Sequence, residues 1–214
     1  MIKSPWGSEP GAHPPPPGHK GSQSQFRNSN GLEQFFYSLQ DRDNLSILDL
    51  SCASQDNVTF ITNLGHRIFA EDVLESIDEV FGTDPEMQSN PVRIEMFLNQ
   101  VLDFPDSSFD GALMWDVLQF LSPLAAQAVV DRLYRILRPR SYVLCFFNAN
   151  EKVQSFPASS YRIRESKTLL LLSRGSRATG QFFNNRAIEK LFHKYESIKF
   201  FLTRDSLREV IVKK

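Results

Sequence analysis

The sequence predicts a single α/β domain whose sheet is mostly parallel, with helices on both faces. Two observations carry the prediction. From residue 31 onward, strand-like apolar runs alternate with stretches of helical periodicity, and such alternation builds a parallel sheet. The chain then closes on two strand-like runs, 197–203 and 208–213, joined by Arg204-Asp205-Ser206-Leu207, which reads as an antiparallel hairpin. Size permits this: 214 residues, 41% of them apolar and 18 of them Phe, suffice for one sizeable core.

Each element has its own signal. Leu32, Phe35, Phe36 and Leu39 recur at helical spacing. Leu45-Ser46-Ile47-Leu48-Asp49-Leu50 is a strand, 56–64 a helix, and Gly65 stands where a left-handed residue ends it. A short strand at 67–70 leads through Glu71-Asp72 into a helix reaching Val80, and 82–91 is a loop. In 92–101 the apolar positions Ile94, Phe97, Leu98 and Val101 fit a helix better than a strand. A turn, Pro105-Asp106-Ser107-Ser108, precedes a strand at 109–115. Ser122-Pro123 opens the clearest helix, with Ser as N-cap and Pro at the first helical position. Leu124, Ala128, Leu133, Ile136 and Leu137 are its expected buried stripe; Pro139 stops it, and 142–147 is a buried strand. Strands at 161–164 and 168–172 and a helix at 185–194 lead into the closing hairpin.

The first 30 residues differ. They hold half of the 12 prolines, four of them consecutive at 14–17, and too little apolar surface to offset ordering entropy. The expected organisation is a disordered tail at 1–30, which can also serve as a proline-rich ligand for a protein partner, and one domain at 31–214. The net charge of −1 speaks against nucleic acid or an acidic membrane as partner. The charge is uneven: 161–214 carries 13 Lys/Arg and 5 Asp/Glu, and 1–160 carries 11 and 20. A basic C-terminal third suits either solvated faces or an anionic acceptor. Two cysteines make no disulfide framework, the tail has no apolar core of a signal peptide, and no apolar run approaches the ~20 residues that span a bilayer. A soluble, cytoplasmic protein is expected. The four His show no metal-ligand spacing, so no metal is expected, and neither a G-x-S-x-G elbow nor a phosphate-binding loop occurs.

In an open parallel sheet, ligands bind outside the carboxyl ends of the strands. Those ends are 49–55, 71–72, 114–116 and 147–150. Asp72 lies 23 residues after Asp49, near the ~20 expected for a carboxylate that accepts hydrogen bonds from ribose hydroxyls. The same residue equally suits the N-cap of the next helix.

Four segments carry a resemblance. Ile47-Leu48-Asp49-Leu50-Ser51-Cys52-Ala53-Ser54 resembles the first motif of class I S-adenosylmethionine-dependent methyltransferases. Leu102-Asp103-Phe104-Pro105-Asp106-Ser107-Ser108-Phe109-Asp110 is similar to the family's "LPFPDGSFD", Asp116-Val117-Leu118-Gln119-Phe120-Leu121 to its "vLhhl", and Arg135-Ile136-Leu137-Arg138-Pro139 to its "RvLrPGG". They occur in family order over residues 45–148.

The resemblance implies a Rossmann-like, seven-stranded, mostly parallel sheet with a C-terminal antiparallel hairpin, and S-adenosylmethionine as cofactor. It implies that backbone N–H groups of Ser51, Cys52 and Ala53 meet the cofactor carboxylate at a helix N-terminus, that Asp49 attracts its ammonium, and that Asp72 holds its ribose. Asn99, Phe104 or Trp115 would border the adenine, and Asp116 is the candidate base, with capping of the next turn as its alternative role. The acceptor would be a small molecule. Two departures stand out: the family's D-x-G-x-G-x-G loop is here Asp49-Leu50-Ser51-Cys52-Ala53-Ser54-Gln55, without glycine, and its adenine-binding Asp is missing before Leu102. The implied activity is therefore an S-adenosylmethionine-dependent methyltransferase; the alternative is a non-catalytic binding or interaction protein that kept the fold and lost or weakened its cofactor site.

Overall fold

The computed structural model describes residues 24–203 and 207–214. The expectations for 1–23, proline run included, and for the turn 204–206 lie outside the described residues. The chain enters through β1 (Ser24–Asn28) and α1 (Asn30–Tyr37). It then alternates through β2 (Ser46–Asp49), α2 (Gln55–Asn63), β3 (Arg67–Ala70), α3 (Val73–Phe81) and α4 (Pro91–Val101). Next come β4 (Phe109–Trp115), α5 (Pro123–Ile136), β5 (Leu137–Asn148) and the hairpin β6 (Ser155–Glu165) and β7 (Thr168–Ala178). The chain ends with α6 (Asn185–Leu191), β8 (Ser197–Leu202) and β9 (Leu207–Lys213).

Six strands form the main sheet in the order β3-β2-β4-β5-β9-β8. The first four are parallel; β9 runs antiparallel to β5, and β8 to β9. The α/β class, the parallel core and the closing hairpin are thus as expected. The seven-strand count is not. A second, three-stranded antiparallel sheet, β1-β7-β6, stands apart, and β3 is an edge of the main sheet. The chain between α3 and β4, where another strand was needed, is helix α4. Asn90 caps it by accepting from the Val92 and Arg93 amides, Pro91 occupies its first turn, and Ile94, Phe97, Leu98 and Val101 face inward. Helical periodicity overrides the strand position.

Side chains alternate across the strands and make two cores. Leu48, Met114, Val143, Cys145 and Phe147 pack under α3, α4, α5 and α6. Ile47, Leu113, Trp115, Leu144 and Phe146 pack with α1 and, unexpectedly, with Tyr161, Ile163 and Leu169 of the β6–β7 hairpin. Part of the expected tail is a strand: β1 extends the hairpin by pairing with β7. In α5 the buried stripe is shifted from the expected one: Ala125, Ala126, Val129, Val130, Leu133 and Ile136 face in, while Leu124 is 51% exposed in the first turn. Among the described residues no helix is long and apolar enough to cross a membrane.

Gly111 shows how closely α1 is packed on the sheet. A Cβ there would lie 2.8 Å from the Phe35 ring and 3.2 Å from Ile47 Cδ1. Gly111→Ala is expected to destabilise by about 1–3 kcal/mol through overpacking, read as a lowered urea midpoint. An unchanged midpoint would mean that Phe35 has room to move.

Candidate functional site

The carboxyl ends of β3, β2 and β4 lie side by side, so the loops after them converge. Ser54 caps α2 by accepting from the Asn57 amide, which aims the first turn of α2 at this point. Glu71 N–H donates to the Asp49 carbonyl, extending the β2–β3 ladder to where Asp72 begins α3. Asp49, the Ser51–Ala53 loop, Asp72, Trp115 and Asp116 thus occupy one end of the sheet, as their spacing predicts.

Asp49 is fully buried, and its carboxylate is committed inside the protein. Oδ1 accepts from Trp115 Nε1 at 2.6 Å and from the Ser51 amide at 3.1 Å; Oδ2 accepts from Asn57 Nδ2 at 2.6 Å. Burial pushes its carboxyl up to about 6, and those three donors, Trp115 first, hold it from rising further. Such a group orders the loop, with no part of it exposed.

Asp72 does what both of its sequence readings allow, but for a partner within the chain. One oxygen caps α3 by accepting from the Glu75 amide at 3.2 Å, and the same oxygen accepts from Arg174 Nη1 of β7 at 2.6 Å. Cys52 meets Ser160 of β6, Sγ to Oγ 3.1 Å. Ala53 is exposed and Ser51 buried. Asn99 is not at the site: it sits on the exposed face of α4 and accepts from Arg132 of α5 at 3.4 Å. It was chosen as the nearest polar residue to an absent strand end, and the helix carries it away.

Trp115 ends β4 with φ of 51°, left-handed backbone that costs an ordinary residue about 1–2 kcal/mol. The Asp49 bond on its indole and a parallel stack on Tyr161, centroids 4.7 Å apart and planes 2° apart, hold it there. Beside it Asp116 is buried, with Oδ2 lacking any hydrogen-bond partner. Burial pushes its carboxyl up to about 7, against the Tyr161 hydroxyl and the charges of Arg177 and Arg174. Tyr161 is in turn driven well above its usual range by burial and by Asp116.

Sequence reasoning missed Asn57 and Tyr161. Asn57 is fully buried and bridges the site to the hairpin: its Nδ2 donates to the Tyr161 carbonyl at 2.9 Å, and its Oδ1 accepts from the Ile163 amide at 2.7 Å. An Asn in the first turn of a helix gives no such sign. Arginines explain the uneven charge. Arg162 and Arg164 pair with Asp56, Arg174 with Asp72 and Arg177 with Asp78. The basic hairpin therefore faces the acidic helices α2 and α3. Each such partly exposed pair contributes ~0.2–1 kcal/mol. Burying Ile163 and Leu169 contributes about 1.5–3 kcal/mol apiece, so apolar packing holds the hairpin and the charges set its register.

Among the described residues no group of three His, Cys, Asp or Glu is placed to hold a metal. The donor set at the strand ends fits a nucleoside bearing an amino acid: first-turn N–H groups, a carboxylate for a diol, a buried base. Space does not fit it while β6–β7 is docked, because Tyr161, Ser160 and Arg174 already occupy the faces of Trp115, Cys52 and Asp72.

Comparison with known proteins agrees with this architecture. Residues 48–145, a little under half of the chain, match the sequence profile of a methyltransferase domain family. No curated protein matches the chain. Among solved structures, it is similar to a SAM-dependent methyltransferase from Archaeoglobus fulgidus (12% identity, 86% of this chain and 91% of that one, TM-score 0.51). It is also similar to the PH0226 protein of Pyrococcus horikoshii OT3 (12% identity, 87% and 92%, TM-score 0.50). A SAM-dependent methyltransferase from Methanosarcina mazei matches at 16% identity over 81% and 93%, with a TM-score of 0.43. At these identities the likeness to the Archaeoglobus fulgidus and Pyrococcus horikoshii structures shows the fold. Residues 48–145 of the chain are similar to a methyltransferase domain, set on a methyltransferase-like α/β fold.

Proposed function

We propose that the chain is an S-adenosylmethionine-dependent methyltransferase acting on a small-molecule acceptor in the cytoplasm, and that the described state is its closed form. The observation that carries this reading is the convergence of Asp72, the capped start of α2 and the buried Asp116 at the ends of three neighbouring parallel strands. When bound, the cofactor supplies a methyl group already activated on a sulfonium, so positioning carries most of the catalysis. The amides of Cys52 and Ala53 would receive its carboxylate at the α2 N-terminus, while Asp49 holds the Ser51 amide and with it the loop. Asp72, released from Arg174, would accept from the ribose hydroxyls. Trp115 would offer its ring to the adenine. Asp116, poised near neutrality, would take the proton from the acceptor as methyl transfer proceeds. The two free cysteines, Cys52 and Cys145, suit a reducing compartment.

A second reading is favoured by one observation: the cofactor-facing groups are engaged by the chain itself. On that reading the protein is a non-catalytic member of the fold. Thermal unfolding with S-adenosylhomocysteine separates the two. A ligand present at 100 times its dissociation constant adds about 2.7 kcal/mol. A rise in the unfolding midpoint with millimolar ligand supports the methyltransferase. No rise, in the wild type and in variants whose hairpin is loosened, establishes the non-catalytic reading.

A further inference from the structure

The groups assigned to the cofactor share one feature that the family match does not account for. Three of them, Trp115, Asp72 and Cys52, are held by residues of the β6–β7 hairpin. Tyr161 lies flat on Trp115, in parallel stacking 4.7 Å away. Arg174 grips Asp72 at 2.6 Å, on the oxygen that also caps α3. Ser160 meets Cys52 in the loop that replaces the glycine-rich turn. The backbone of Tyr161 and Ile163 closes on Asn57, which also holds Asp49. One planar ring and one arginine thus stand where an adenine ring and a ribose would stand, with a hydroxyl over the loop.

We propose that the β6–β7 hairpin is a built-in competitor of the cofactor: its docking and the binding of S-adenosylmethionine exclude one another, with Tyr161 and Arg174 as the competing groups. This rests on the methyltransferase reading above. The side chains that seat the hairpin are Tyr161, Ile163 and Leu169 in the second core, all buried, with the Arg162, Arg164, Arg174 and Arg177 pairs around them. A site available only in the undocked fraction binds with an apparent affinity reduced by that fraction. Any change that weakens docking without touching the cofactor groups therefore strengthens binding.

The test combines calorimetric titration of S-adenosylhomocysteine with backbone deuterium exchange over 155–178, in the full chain and in the variants Tyr161→Ala and Arg174→Ala. The expected result is weak binding to the wild type and binding tighter by about tenfold or more in the variants. Faster exchange of 155–178 is expected in both variants, and in the wild type when ligand is added. The last sign is diagnostic, since a ligand ordinarily slows exchange near its site. The wild-type experiment does not depend on the variants folding. Binding to the wild type with exchange of 155–178 unchanged or slowed overturns the competitor and leaves the methyltransferase standing. Unchanged exchange in both variants overturns the assignment of Tyr161 and Arg174. Faster exchange in the variants with no binding to any of the three proteins overturns the methyltransferase reading, and with it the competition.

Discussion

Asp49→Ala is expected to destabilise the protein by about 3–5 kcal/mol, measured by urea denaturation. The substitution removes the acceptor of three buried donors: Trp115 Nε1, Asn57 Nδ2 and the Ser51 amide. Each buried donor left without a partner costs about 1–3 kcal/mol. Asn57 keeps its bond to the Tyr161 carbonyl, which is why the expected total is less than the sum of three separate losses. The strain at Trp115 adds to the effect, because the indole bond helps the Tyr161 and Phe146 rings fix that left-handed residue. Asp49→Asn keeps one acceptor oxygen and should cost less. A loss below about 1 kcal/mol for Asp49→Ala would contradict the structural role and return Asp49 to the cofactor ammonium.

The second large effect is a dependence of stability on pH set by Asp116. Its carboxyl is raised to about 7 in the folded protein, chiefly by burial, from an unfolded value of 3.8. The folded chain therefore binds this proton more tightly than the unfolded chain does. The stability so contributed is complete below pH 4 and is lost as pH rises from there to 7. The contribution is on the order of 4 kcal/mol. Asp49, raised to about 6, acts in the same direction. Denaturation midpoints should thus be higher at pH 5 than at pH 8. Asp116→Asn should flatten that dependence and stabilise the protein at pH 8. Equal midpoints at pH 5 and 8 in the wild type would contradict a buried Asp116 with one oxygen left without a partner. If Asp116 is also the base, the same substitution lowers methyl transfer to an acceptor that must lose a proton while leaving S-adenosylhomocysteine binding intact.

Much of this fold is legible in the sequence because its signals are local. Ser122-Pro123 starts α5, the apolar runs around Ile47 and Leu113 are buried strands, and the closing hairpin has the right pairing. The site's location is legible for the same reason, since strand ends and helix starts follow from periodicity. Its contents are not. Nothing local shows that Asn57 reaches across to the hairpin backbone, or that Arg174 finds Asp72 over 102 residues of chain. The charge asymmetry was visible and its use was not: the basic hairpin pairs with acids on α2 and α3. The seventh strand failed where family position and periodicity disagreed, and at Ile94, Phe97, Leu98 and Val101 the periodicity prevailed.

The central claim is that one hairpin closes a methyltransferase cofactor cleft. Ser160 faces the free Cys52 at 3.1 Å, so Ser160→Cys places two thiols across the closure. S-adenosylhomocysteine binding to this variant, titrated after oxidation and again after reduction, tests the claim most directly. The account predicts no binding while Cys52 is disulfide-bonded to the introduced cysteine, and wild-type binding once the bond is reduced. Equal binding in the oxidised and reduced forms would show that the cofactor enters with the hairpin in place, and would contradict it.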